Sequence, residues 1–283
     1  MENRKMVIIV ITVLSLLVVG LGGYLVYDKF ISNEPSEKKD NKNEDNSLSY
    51  EDAMIIGEAN LKIEKYNLYA LDKLEKKVDD LNKLDNQFKL EISLSYLMNN
   101  DFGSVRNCDS ESGGYDIVYN AVALENYFTN VFADTITFKN ENTFYCGYHW
   151  HMIYNKEDKS YSDSGEGHGG HGVYALYTKL VKYEVKDSKY ILTYNKAFTS
   201  TSDGGSSGHI YDRYSVAYNS DNKAALFQLP ESIYFGESKT EINKYIEEKI
   251  EKEGYKLNEY IYTFVMDDVD GLKLVSYEFK ENK

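Results

Sequence analysis

The chain has 283 residues, 42% of them hydrophobic, and a formal net charge of −14 at pH 7. That acidity argues against nucleic acid, anionic lipid headgroups and anionic wall polymers as broad partners, because each of these needs clustered Lys and Arg. With 27 Tyr but only two Pro, the composition leans towards half-buried pleated surfaces and hence towards β-structure.

The first predicted element is a membrane anchor. Arg4 and Lys5 precede an uncharged apolar run from Met6 to Val26, about 21 residues and long enough to span roughly 30 Å of hydrocarbon as a helix. Tyr24 and Tyr27 sit at its far edge, where amphipathic rings settle at the interface. A cleaved signal peptide is the alternative, but its apolar core is normally about 7–15 residues and is followed by a small-residue cleavage site. No cysteine follows the run, which argues against a bacterial lipoprotein. The expected layout is a cytoplasmic tail over residues 1–5 and a transmembrane helix over residues 6–27. Residues 28–48 then form a flexible charged linker, and residues 49–283 an extracytoplasmic domain. Arg4 and Lys5 abut the span and outweigh the more distant Lys29, Lys38, Lys39 and Lys42 in setting the N-terminus inside. The linker is polar, charged and aperiodic, so it buries too little to offset its ordering entropy.

Ser49 and Asp52 form a capping box that opens a helix. Ile56, Ile63, Tyr66, Ala70, Leu74, Val78 and Leu81 continue it at helical spacing. Its seam of Leu71, Leu74, Val78 and Leu81 covers under two heptads, which favours packing on a sheet over a coiled coil. From Phe88 to Tyr96 apolar and polar residues alternate, which predicts a half-buried strand, although a helix through here would align Leu90, Leu94 and Leu97. A polar loop follows from Asn99 to Gly114. Leu124, Tyr127, Phe128, Val131 and Phe132 make a compact amphipathic helix. Strands are then expected over Thr135–Lys139, Thr143–Tyr154, Val173–Val185, Tyr190–Phe198, His209–Tyr218, Tyr255–Met266 and Leu272–Lys280. One helix interrupts them, capped by Ser238 and Glu241, striped by Ile242, Tyr245, Ile246 and Ile250, and stopped by Gly254. The order predicts an α+β fold, one domain with helices on one face of a curved antiparallel sheet.

Together these features resemble uncharacterised single-pass membrane-anchored proteins of Firmicutes and related low-GC bacteria. The likeness is one of layout and covers most of the chain. It is carried by the anchor ending Gly23 to Phe30, the charged tether, the helix openings Tyr50 to Gly57 and Leu124 to Asp134, and the closing hairpin Tyr262 to Glu278. The helix-then-sheet order is also similar to the cystatin-like (nuclear-transport-factor-like) roll. The resemblance implies that architecture and no catalytic residues, and the helix between Ser238 and Gly254 departs from the simple roll.

All five histidines lie between residues 149 and 209. His149 and His151 are two apart on an expected strand and so share a face. His168 and His171 lie in a Gly-rich loop able to close over that strand. Zinc or copper wants three or four converging ligands, and two local pairs do not by themselves supply them. The other reading is a solvent-facing strand and a loop whose histidines make ordinary hydrogen bonds. Cys108 and Cys146 are the two cysteines. An oxidising compartment favours a bridge between them, and a small core role for Cys146 is the alternative.

Asp203 to Gly208 lacks the Lys and following helix of a phosphate cradle and reads as a long hairpin loop. Asp267 to Gly271 hints at a calcium loop but has Tyr277 where the bidentate Glu belongs, so a hairpin turn is expected. No H-E-x-x-H or G-x-S-x-G occurs. The sequence therefore points to a non-enzymatic binding or cell-envelope module. A metal-binding sensor or enzyme and a glycan-binding tyrosine surface are the alternatives.

Overall fold

The computed structural model describes residues 48–100, 104–107, 115–133, 136–145, 150–163, 172–202, 205–206, 208–219, 222–231, 233 and 238–282. The chain divides into two compact units, Met1–Leu61 and Lys62–Lys283. The expected anchor over residues 6–27, and the linker up to residue 47, lie outside the described residues. No described helix is long and apolar enough to cross a membrane.

Helix α1 (Tyr50–Lys65) starts as its cap predicts, with the Asp52 backbone N–H donating to Ser49 Oγ at 3.1 Å. It stops sooner than the apolar seam suggests. Asn67 adopts a left-handed φ of 54°, and Leu68–Leu74 winds as a 3-10 helix ended by a second left-handed residue, Glu75. Asparagine tolerates that region better than most residues. The seam is used on a sheet, not in a coiled coil. Leu68 and Leu71 are buried, and Val78 exchanges backbone hydrogen bonds with Tyr277 at 2.7 and 3.1 Å.

The strand expected over Phe88–Tyr96 is instead helix α2 (Asn86–Asn99). Leu90, Leu94 and Leu97 are buried, but so are Ile92, Ser93, Ser95 and Tyr96. A helix covered on nearly every side has no polar stripe, so its alternation carried no information about its period. Helix α3 (Ala121–Val131) is capped by Asn120, whose Oδ1 accepts from the Val122 N–H. Tyr127 packs against Tyr96 at 5.1 Å and donates its hydroxyl to the Tyr66 carbonyl at 2.9 Å. Phe128 stacks on Phe138 at 4.3 Å.

The strand expected over Thr135–Lys139 does not form among the described residues 136–140. Side chains occupy its backbone groups. Asn82 accepts from the Thr137 N–H, Asn86 both accepts from and donates to Lys139, and Lys89 Nζ donates to the Thr137 carbonyl. Thr143–Tyr154, read as one strand, is a hairpin of β3 (Thr143–Tyr145) and β4 (Trp150–Asn155), with Tyr145 opposite Trp150. The segment read as a polar loop contributes β1 (Ser104–Asn107) to the same sheet. With β2 (Tyr115–Asn120) and β5 (Ser160–Asp163), these strands form an antiparallel sheet ordered β1-β2-β5-β4-β3.

The second sheet is an antiparallel array ordered β12-β11-β7-β6, built from β6 (Gly172–Lys186), β7 (Lys189–Ser202), β11 (Glu259–Asp267) and β12 (Gly271–Lys280). Its expected turns are present. Asp187 and Ser188 both take positive φ between β6 and β7, as a tight two-residue hairpin requires. Beyond Asn195 the far edge of β7 pairs first with Tyr211 at Phe198, then with β8 (Gly205–Ser206) at Thr201 and Ser202.

The strand expected over His209–Tyr218 is therefore mostly lost. Only β9 (His209–Ile210) is extended, paired with β10 (Phe227–Gln228), before helix α4 (Tyr214–Asn219) begins. Glu75 fixes that helix start by accepting from both the N–H and the hydroxyl of Ser215, at 2.7 and 2.9 Å. An anion there suits the helix dipole.

Helix α5 (Lys239–Glu253) carries the expected Ser238–Glu241 capping box and ends at Gly254, φ 69°. It corrects the expectation that helices cover one face only. Ile242 and Ile246 pack with Tyr177, Ala197, Ile210, Leu229 and Leu257. Ala197 points to the face opposite its neighbour Lys196, and Lys196 faces the Leu68–Leu74 segment. The sheet is thus covered on both sides.

Candidate functional site: a buried lysine–aspartate pair

The residues singled out from sequence are only partly within reach. Cys108, Cys146, His149, His168 and His171 lie outside the described residues. His151 is on β4, opposite Phe144. His209 is on β9, its ring 6.5 Å from that of Tyr211. Among the described residues no group of three or more His, Cys, Asp and Glu is arranged to hold a metal ion.

The Asp267 loop is a hairpin turn, as expected. Asp267 Oδ1 accepts from the N–H groups of Val269 and Asp270, both at 2.9 Å, and these bonds hold its carboxyl below the ordinary value. Within the segment read as a long hairpin loop, Gly205 and Ser206 pair with Ser202 and Thr201 of β7. Tyr127, Tyr161, Tyr211, Tyr260, Tyr262 and Tyr277 are among the largest fully buried side chains.

The densest chemistry lies between β7 and the Leu68–Leu74 segment. Lys196 projects from β7 and Asp72 from the Leu68–Leu74 segment, and each side chain is 0% exposed. Lys196 Nζ donates to Asp72 Oδ2 at 2.6 Å and to the Tyr262 hydroxyl at 2.7 Å. Tyr262 in turn donates to Asp72 Oδ1 at 2.7 Å, and Tyr277 reaches the same oxygen at 3.4 Å. The rings of Tyr69, Tyr262 and Tyr260 surround the amine, with centroids 4.6, 4.8 and 5.1 Å from Nζ.

Burial sets the electrostatics. It raises the Asp72 carboxyl above its ordinary range, against the pull of Lys196 and the hydroxyl donors. It lowers the Lys196 amine, against the pull of Asp72. Both shifts move the pair towards its neutral form. Burial also pushes the Tyr262 and Tyr277 phenols well above their ordinary value, so both remain O–H donors.

The chain matches no protein-family model, no curated protein and no solved structure. The site is therefore read from its own geometry. One signal for it was present in the sequence. Tyr190, Leu192, Tyr194, Lys196 and Phe198 share one face of a strand, and a lysine inside such a stripe needs a buried partner. Nothing local marked Asp72, which is 124 positions away.

Proposed function

We propose that the chain is a single-pass membrane protein. Residues 1–5 are cytoplasmic, residues 6–27 span the bilayer, residues 28–48 are a tether, and residues 49–283 form an extracytoplasmic binding or cell-envelope module that turns over no substrate. In this reading the β6-β7-β11-β12 sheet is the body of a cystatin-like roll. The chain belongs with the membrane-anchored Firmicutes proteins it resembles in layout, and Cys108 bridges Cys146.

One observation carries the non-enzymatic part. The Asp72–Lys196–Tyr262–Tyr277 cluster is the one among the described residues in which a carboxylate and an amine meet fully buried, and it is closed on itself. An enzyme needs such groups to face a substrate. Here their bonds go to one another beneath a layer of tyrosine rings.

Elemental analysis of the full chain, purified in detergent without chelator, tests the reading against a metal site. No stoichiometric zinc or copper is expected. One equivalent that disappears in His151→Ala would overturn the proposal in favour of a histidine centre. Pull-down on peptidoglycan at two salt concentrations then separates a glycan partner, whose stacking contacts resist salt, from a protein partner.

A further inference from the structure

We propose that Lys196 and Asp72 condense into an intramolecular isopeptide bond, Nζ to Cγ, with Tyr262 as the proton relay. The inference does not depend on where the chain resides. It concerns a reaction of the chain with itself, which happens once and is not turnover.

The arrangement meets the needs of that reaction in turn. The amine lies against the carboxyl at 2.6 Å, held there by a strand on one side and a 3-10 turn on the other. Fixed proximity of this kind replaces the entropy that a bimolecular condensation would lose. Tyr262 joins the two reacting groups, accepting from Nζ and donating to Oδ1, both at 2.7 Å. That is the path a proton must take from the attacking nitrogen to the departing oxygen.

The step balances without any outside reagent. The neutral amine's lone pair attacks Cγ of the protonated carboxyl, forming the C–N bond. One proton leaves nitrogen for the Tyr262 oxygen while the Tyr262 proton passes to Oδ1. Oδ1, now carrying this proton and the carboxyl's own, departs as water. Oδ2 remains as the amide carbonyl oxygen. Burial pushes both partners towards the neutral forms the attack requires.

The surrounding ring faces oppose this by favouring the ammonium form. Once made, the amide lies in a site from which water is excluded, and reversal is slow.

The test is a peptide map of the folded full chain, purified in detergent, then denatured, reduced and digested with trypsin. The expected result is one branched species carrying both Asp72 and Lys196, lighter by one water than the two peptides together, with no cleavage after Lys196. Separate, unmodified Asp72 and Lys196 peptides from folded protein would overturn the bond.

Tyr262→Phe keeps the ring and removes the relay, and circular dichroism checks that it folds. In protein sampled at successive times after a pulse of synthesis, its branched species should appear about a hundredfold more slowly, the usual worth of a positioned acid–base group. Appearance at the wild-type rate would overturn the relay.

Discussion

At the scale of single residues, the interior of this protein is organised by polar groups as much as by apolar ones. A lysine and an aspartate with no exposure are tolerated because they hydrogen-bond to each other and to tyrosine hydroxyls. Removing one partner strands the other in a dry site. Lys196→Met should therefore cost about 3–5 kcal/mol relative to the full chain with the pair not yet condensed, read from urea unfolding of freshly synthesised protein in mild detergent. The double variant Asp72→Leu with Lys196→Met should be less destabilised than Lys196→Met alone, because it leaves no unpaired charge buried. A double variant as unstable as the single one would mean that the aspartate is not what makes the single variant costly. Lys89 repeats the theme on a smaller scale. Its amine bonds the Asn82 and Thr137 carbonyls, and burial lowers it.

At the scale of elements, caps were legible and periods were not always so. Ser49, Ser238, Glu241 and Gly254 act at the helix ends where their chemistry predicts. A cap is a local event, satisfied by backbone groups within four residues. The Gly254 position can be tested directly. Its φ is 69°, and a Cβ built there meets nothing within 4 Å. Gly254→Ala should therefore destabilise by about 1 kcal/mol through backbone strain alone, seen as a lowered unfolding midpoint with an unchanged denaturant slope.

The missed elements share a different cause. Residues 136–140 form no strand, and Asn82, Asn86 and Lys89 take the hydrogen bonds a neighbouring strand would have made. Tyr214–Asn219 is helical because Glu75, 140 positions earlier, caps Ser215. In both cases a distant side chain decided a local conformation.

At the scale of the whole molecule, the acidic composition, the apolar run at the N-terminus and the charged segment after it make one proposal about place. Protease added to protoplasts should digest the part from residue 49 onwards and leave a membrane-embedded fragment containing residues 6–27. Full protection would reverse the orientation. A mature protein starting near Gly23 would show a cleaved signal in place of an anchor. The division of the chain at Leu61 and Lys62 has no counterpart in composition, since it falls inside the continuous helix Tyr50–Lys65.

The sequence by itself determined the α+β class, the long hairpins β6–β7 and β11–β12 with their turns, and the bounded helices α3 and α5. These depend on contacts between near neighbours, on the apolar patterning along each strand and on residues suited to caps and tight turns. Only the tertiary structure decided that the described residues build two five-stranded sheets and a two-stranded one, that α5 covers the face opposite Lys196, and that residues 86–99 are a helix buried nearly all round. It also brought Asp72 to Lys196. Each of these is a pairing across a long stretch of chain, and a one-dimensional pattern records how strongly a residue needs a partner without recording which partner it meets.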